Sequence, residues 1–381
     1  MRVFGRAQHV SHPFKRDTGP LRSLHAMTTQ TLRVIECRGT PRQIGQQWGE
    51  ACRESLRASA ENLFLALSMS PLAASREDVV RTARKLEANV RAFDPEALEL
   101  IRGQAEGTGL PYEEAFALHC MLELAINYAQ IGGMCTSLAL TGEATKDGQA
   151  LLGQTIDWNP GARMDLLRIR HTDGREQLSL CLDGSPYYHL NSDGVGNCSN
   201  LTLVEPRPCS SLVPLSVYVP KAMRQPSLSA ALEVLVTAAR GFGYYHLADA
   251  SGHVVGIEST YDDHVLLRPE RGVLVHANHY QSERFRERDV THRYVPCTFG
   301  RQERIAELVA AGHGHHTPET VKQLLTDHGT PEGRICLHDT PPAPGAMPRE
   351  TAATVVMAPA RRTMWVAAGP ACRRPFVEFS L

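Results

Sequence analysis

Apolar and polar positions divide the chain into a helical first third and a strand-rich remainder. Thr31–Cys37 alternates in the way that puts successive strand side chains on opposite faces. Arg38-Gly39-Thr40-Pro41 then supplies a turn, a hydroxyl cap and a proline for the first helical position, so a long helix is expected to follow. Ile44, Trp48, Ala51 and Leu56 keep helical spacing into Leu63-Phe64-Leu65. Further helical periods run over Val79–Phe93, Pro95–Gln104 and Pro111–Tyr128. After Gly132 the runs shorten. Cys135–Leu140 and Ala150–Asp157 are joined by Gly/Lys/Asp turn chemistry, which predicts a hairpin with Cys135 at its head.

Strands are also expected at Leu166–Ile169, Leu178–Leu182, Tyr244–Ala248, Val254–Ser259, Val265–Leu267 and Gly272–His276. Three more close the chain, at Ala353–Met357, Met364–Ala368 and Phe376–Phe379. Helical periods over Ser227–Arg240, Glu303–Ala311 and Pro318–His328 separate these groups. Asn191–Asn197 reads as a turn region, and Thr340–Pro348 as a Pro/Gly-rich loop. Two groups of strands with helices outside them predict an α+β layered sandwich.

Composition narrows the class without naming it. In 381 residues, 42% hydrophobic and 21% charged content with a formal net charge of -1 leave no excess of either sign to attract nucleic acid or a membrane surface. Ten cysteines are spread singly with no C-x-x-C pair, as expected for reduced thiols in a cytoplasmic protein. No run approaches the roughly 18 apolar residues of a membrane span, and the N-terminus has no signal-like apolar stretch. Residues 1–27 are polar, basic and aperiodic, which fits a disordered extension or sequence preceding a start at Met27. Residues 28–381 are expected to form a single domain.

Cys135 is the candidate nucleophile because it follows Gly132-Gly133-Met134 at the abrupt start of a strand, where reaction is better served than packing. A buried structural cysteine is the competing reading. On the residues alone, Asp157 before Trp158-Asn159-Pro160 also fits a turn cap, Asn278 a strand-end hydrogen-bonder, and Asn200 a surface turn. His313-Gly314-His315-His316 has metal-ligand residue types but no carboxylate or cysteine at ligand spacing, and reads as a loop.

These motifs also occur in a recognisable order. Gly39-Thr40-Pro41 with Ile44-Gly45, Cys135-Thr136-Ser137, Gly153-Gln154-x-x-Asp157, Asn191–Val195, His246–Ala250 with Glu258, and Gly272–His279 follow one another. From Thr31 to the C-terminus the chain resembles the isopenicillin-N acyltransferase family of N-terminal-nucleophile hydrolases. The resemblance implies a four-layer αββα sandwich that cuts its own Met134–Cys135 bond, leaving a helical α chain of residues 1–134 and a strand-rich β chain of residues 135–381. It further implies Cys135 as nucleophile, Asp157 as the carboxylate near it, Asn278 as oxyanion donor, and Asn200 and His279 as substrate-binding residues. Two positions depart from the family: Met134 stands where glycine usually precedes the cysteine, and Arg334-Ile335-Cys336-Leu337 stands for Ser-Ile-Cys-Arg.

An N-terminal cysteine carries a thiol and an α-amine of pKa about 7.7–8.0, so nucleophile and base can belong to one residue. The expected function is therefore an amidohydrolase or acyltransferase that cleaves or forms a linear small-molecule amide through an acyl-Cys135 thioester. Its substrate is expected to be such an amide or an acyl thioester, acyl-CoA among the candidates, with no metal or organic cofactor. Its own two chains would be its protein partners, and a homo-oligomer is compatible with the sequence. An uncleaved relative that binds an acylated small molecule is the second reading. A papain-like protease is the third, though no local signature of that family surrounds Cys135.

Overall fold

In the computed structural model the described residues are 32–128, 133–205, 207, 212–237, 242–338 and 348–381, all within the unit Thr31–Leu381. The expected extension 1–27, the end of the helix expected at Ser227–Arg240 and most of the Thr340–Pro348 loop lie outside them. β1 (Arg33–Gly39) leads into α1 (Pro41–Ala51), where Thr40 and Gln43 cap each other's main-chain N–H groups. The long helix expected here breaks at Cys52, whose φ of -114° and ψ of 21° leave helical geometry, and resumes as α2 (Arg53–Ser68). α3 (Arg76–Phe93) and α4 (Pro95–Thr108) follow, and the helix expected over 111–128 divides at Cys120 into α5 (Tyr112–His119) and α6 (Met121–Asn127).

Glycines let α1 and α4 cross almost backbone to backbone. A Cβ on Gly45 would lie 1.9 Å from the Leu100 carbonyl oxygen, and one on Gly103 1.9 Å from that of Arg42. Neither position accepts a side chain.

The remaining elements are β2 (Met134–Leu140), β3 (Leu151–Trp158), β4 (Met164–His171), β5 (Glu176–Leu182), β6 (Ser185–Asn191) and β7 (Gly196–Asn200), then α7 (Leu215–Met223) and α8 (Leu228–Thr237). β8 (Gly243–Ala248), β9 (Val254–Ser259), β10 (His264–Leu267), β11 (Val273–His276), α9 (Glu283–Arg286), α10 (Thr298–Ala311) and α11 (Pro318–Leu324) come next. β12 (Glu350–Ala358), β13 (Thr363–Ala368) and β14 (Val377–Ser380) end the chain. The strands form two sheets, in the orders β1-β4-β5-β6-β7-β8-β9-β10 and β11-β2-β3-β12-β13-β14. Only the β1–β4 pair is parallel among the named strand pairs.

β2 and β3 face β7 and β8, α1, α7 and α8 cover the outside of the larger sheet, and α10 and α11 cover the outside of the smaller one. The result is the expected four-layer αββα sandwich. Alternation along β12 shows why its strands are buried on both faces. Val355 and Met357 join the large core between the sheets, whereas Val356 and Ala358 join a second core with Ile305, Val309 and Val321 from α10 and α11. Apolar residues on both sides of a strand erase the polar phase that marks a half-exposed one.

Candidate active site

The hairpin of β2 and β3 sets the site. Its register pairs Met134 with Asp157 and Cys135 with Ile156. Cross-strand partners share a face, so Cys135, Ser137, Gln154 and Ile156 point between the sheets, while Met134, Thr136 and Asp157 point toward α10 and α11. The carboxylate expected near the nucleophile therefore lies beside the residue that carries the expected scissile carbonyl, on the face opposite the thiol. Gly133 delivers the chain into β2 with φ +111°, and its missing side chain makes room for Trp158: a Cβ would fall 2.3 Å from Cζ3 of that ring.

β11 ends two residues short of the position opposite Cys135. Ser137 pairs with His276, so two residues further on Asn278 stands opposite Cys135. There a side chain takes over the ladder: the Cys135 N–H donates to Asn278 Oδ1 at 2.9 Å, and Asn278 Nδ2 donates to the Leu201 carbonyl at 2.9 Å. Arg301, fully buried on α10, donates from Nη2 to the same Asn278 Oδ1 at 2.6 Å and from Nη1 to the Cys135 carbonyl at 2.6 Å and Thr136 Oγ1 at 2.8 Å. Two donors on one amide atom and an acceptor at the other fix which end of Asn278 is oxygen. Toward residue 135 it presents an acceptor, not the donor expected for an oxyanion.

Asn200 closes the other side. Its Nδ2 donates to the carbonyls of Ala277 at 2.8 Å, His276 at 3.0 Å and Cys135 at 3.4 Å, and its Oδ1 accepts from Ser137 Oγ at 2.7 Å. It is a buried residue at the end of β7, not a surface turn. His279 is held elsewhere: Nδ1 meets Thr298 Oγ1 at 3.0 Å and its ring lies 4.4 Å from that of Phe299. Among the described residues, none of its hydrogen bonds or ring contacts joins it to Cys135. His276 is committed to structure, hydrogen-bonded to Glu258 at 3.2 Å and stacked 3.6 Å above Tyr244.

Burial dominates the electrostatics. It pushes the Cys135 thiol up to about 12, helped by the Asp157 charge and opposed by Gln154, Arg301 and Tyr188, so the thiol is protonated at neutral pH in the uncleaved chain. Burial likewise raises the Asp157 carboxyl to about 6 despite Arg301, Thr351 and Arg349. Its Oδ1 accepts from Thr351 Oγ1 at 2.5 Å, while its Oδ2 is buried with no hydrogen-bond partner among the described residues. Asp157 lies within β3 and caps no turn.

The sequence reading missed Arg301, Thr351 and Tyr188 as contributors to this centre, and held Gln154 only as part of the Gly153-Gln154-x-x-Asp157 motif, without a role. Arg301 alone left a usable signal: with Ile305 and Val309 it occupies one helical stripe at four-residue spacing, and an arginine in an apolar stripe needs buried partners.

No family model matches this chain, and a search of curated proteins gave no match. Solved structures give weak likenesses. Two variants of conjugated bile acid hydrolase from Clostridium perfringens superpose with TM-scores of 0.46 and 0.45 at 12% identity, covering 65% of this chain and 92% of theirs. Penicillin V acylase from Agrobacterium tumefaciens gives 0.43 at 15% identity over 65% of this chain and 86% of its own. At these scores the likeness assigns no residue a role.

Proposed function

We propose that the chain is a self-processing amidohydrolase or acyltransferase whose nucleophile is Cys135, acting on a linear amide or acyl thioester of a small molecule. The observation that carries this reading is that side chains hold both main-chain groups of Cys135, its N–H through Asn278 and its C=O through Arg301. A cysteine kept only for packing has no need of a buried arginine and a buried amide on its backbone. A cysteine whose own nitrogen becomes the catalytic base does need that nitrogen fixed.

In processing, the Cys135 sulfur attacks the Met134 carbonyl carbon; the C–S bond forms, the C–N bond breaks, and the thiol proton ends on nitrogen. Water then cleaves the thioester, leaving a Met134 carboxylate and a free Cys135 thiol and α-amine. Asp157, paired with Met134 across the ladder and ionised above about pH 6, is the group we assign to proton transfer at that end. In turnover the new amine accepts the thiol proton as sulfur attacks the substrate acyl carbon, and returns a proton to the leaving amine. Asn278 Oδ1 keeps the amine in place. Because an ammonium accepts no proton, kcat/KM should fall as pH drops below the amine's pKa.

The test uses the mature protein and a β chain with one extra residue before Cys135, each refolded with the α chain and checked by intact mass. N-acyl amides of graded chain length serve as substrates. Hydrolysis by the mature form and none by the blocked form is expected. Equal activity in the blocked form would replace this mechanism with a thiol activated by a neighbouring group. A wild-type chain that stays at full-length mass and turns over nothing would favour the uncleaved binder.

A further inference from the structure

Two imidazole nitrogens and two thiol sulfurs converge on the outer side of the smaller sheet. They belong to His328 in the turn after α11, Cys336 and His338 in the segment leading toward β12, and Cys372 between β13 and β14. The four lie within 4.8 Å of one another. His328 Nε2 is 2.9 Å from His338 Nε2, His338 Nε2 is 3.2 Å from Cys372 Sγ, and Cys372 Sγ is 3.6 Å from Cys336 Sγ.

We propose that these side chains form a structural His2Cys2 site for a divalent zinc ion. A tetrahedral zinc with Zn–N of about 2.0–2.1 Å and Zn–S of about 2.3 Å requires edges of about 3.3 Å between nitrogens, 3.5 Å between N and S, and 3.8 Å between sulfurs. The three edges above follow the same order and are shorter by a few tenths of an ångström, while the other three are bounded at 4.8 Å, at most about 1 Å beyond the longest tetrahedral edge; closing the site takes side-chain torsion changes in both directions. The S–S separation is far beyond the roughly 2.05 Å of a disulfide, and two thiols with two imidazoles are the donor set of a closed zinc site, not of magnesium or calcium. Arg334 and Arg373 face His328 alongside Asp327. The thiols release their protons on binding, so a zinc dithiolate adds no net charge to that basic surface.

Four protein ligands leave no open position, so the ion holds structure and does not turn over substrate. What it would hold leads to the candidate site. Leu337, between two ligands, donates its N–H to Thr351 Oγ1 at 2.8 Å and accepts from the Thr351 N–H at 2.7 Å. Thr351 Oγ1 in turn donates to Asp157. The ion would pin three separate segments and, through Leu337 and Thr351, fix the hydrogen bond that Asp157 receives.

The test begins with metal content of the full chain purified in a phosphine reductant without chelator. One zinc per chain is expected, and the same in Cys135→Ala, which separates this site from the proposed chemistry at Cys135. Cys372→Ser and His338→Ala should each lose the zinc. Should those variants fold poorly, wild type stripped of metal and titrated with Co2+ gives an independent reading: a thiolate-to-cobalt band and the intense visible bands of a tetrahedral ion are expected. Zinc lost to a brief chelator wash together with no thiolate–cobalt band would overturn the proposal. So would a Cys336–Cys372 disulfide in peptide maps of protein isolated under reductant.

Discussion

Cys181 and Cys135 are both buried strand residues, one in each sheet, and burial is the first cause that lifts both thiols far above their ordinary range. Burial therefore does not tell them apart. Their backbones differ. Cys181 sits inside its sheet with strands on both sides, opposite Asp165 on β4 and, past a register shift at Leu180/Cys181, opposite Pro186 on β6; its thiol donates to the Ser179 carbonyl two residues away. Cys135 stands where β11 has run out, and Asn278 and Arg301 complete its hydrogen bonds with side chains. A high thiol pKa thus describes solvent exclusion, whereas side-chain attachment of the main chain sets Cys135 apart from Cys181 and is what the proposed role of its nitrogen rests on.

The strongest way to break this contrast is to remove each sulfur. Cys135→Ala should abolish self-cleavage and lower turnover on the order of 10⁴-fold or more, the scale of losing a nucleophile. Cys181→Ala should still be cleaved to two fragments and lose about 1 kcal/mol of stability, as for a small core truncation. Denaturing gels and denaturant melts read both. Cleavage that survives the first change and fails in the second would invert the assignment.

Arg301→Met removes the clamp while keeping an unbranched apolar stem in the α10 stripe. It strips a donor from the Cys135 carbonyl, from Thr136 and from Asn278 at once. Processing should slow by about 10²–10³, the range for loss of a buried oriented donor. A cleavage time course unchanged from wild type would show that the clamp is packing alone.

How much of this was legible follows the physics of each residue. The β2–β3 hairpin was readable because apolar runs flank the turn chemistry between Thr141 and Gln149. β6 was not: all seven residues of Ser185–Asn191 are buried, so a strand rich in hydroxyls, with Pro186 in it, gives neither alternation nor an apolar run. α7 hides behind Pro220, which removes a helical N–H that burial of Leu215, Val217, Tyr218 and Val219 outweighs. Cys135, Asp157 and Asn200 were reachable through ordered motifs. The direction of the Asn278 amide was not, since it depends on Leu201 and Arg301, which no local pattern connects. Likewise the ligands His328, Cys336, His338 and Cys372 have no standard spacing and meet only because β13 and β14 return beside the α11 end.

A smaller effect separates the two faces of the hairpin. The folded Asp157 carboxyl, at about 6, is raised above its ordinary value near 3.8. The stability it contributes is therefore full below 3.8 and is lost as pH rises through 6, because the unfolded chain ionises first. Asp157→Asn has no such penalty. On a Cys135→Ala background, which keeps one species throughout, the asparagine variant should gain about 2 kcal/mol over its parent between about pH 4.5 and pH 7. A difference flat with pH in chemical melts would mean that Asp157 is ionised throughout, held by Arg301 and Arg349.

The finest test concerns which end of Asn278 does the work. In the uncleaved chain its oxygen meets the Cys135 nitrogen and its Nδ2 is spent on Leu201. Asn278→Asp preserves that oxygen and deletes the nitrogen donor. If Asn278 anchors the amine, the aspartate variant should retain turnover within about tenfold; an oxyanion donor would instead cost about 10²–10³. The pH profile adds a second axis. A carboxylate beside the amine favours the ammonium, so the acid limb of kcat/KM should move to higher pH, and Arg301 at 2.6 Å from the present oxygen should shorten that shift. A large fall in kcat with an unmoved limb would return Asn278 to the oxyanion role and require its amide to turn over once the Met134–Cys135 bond is cut.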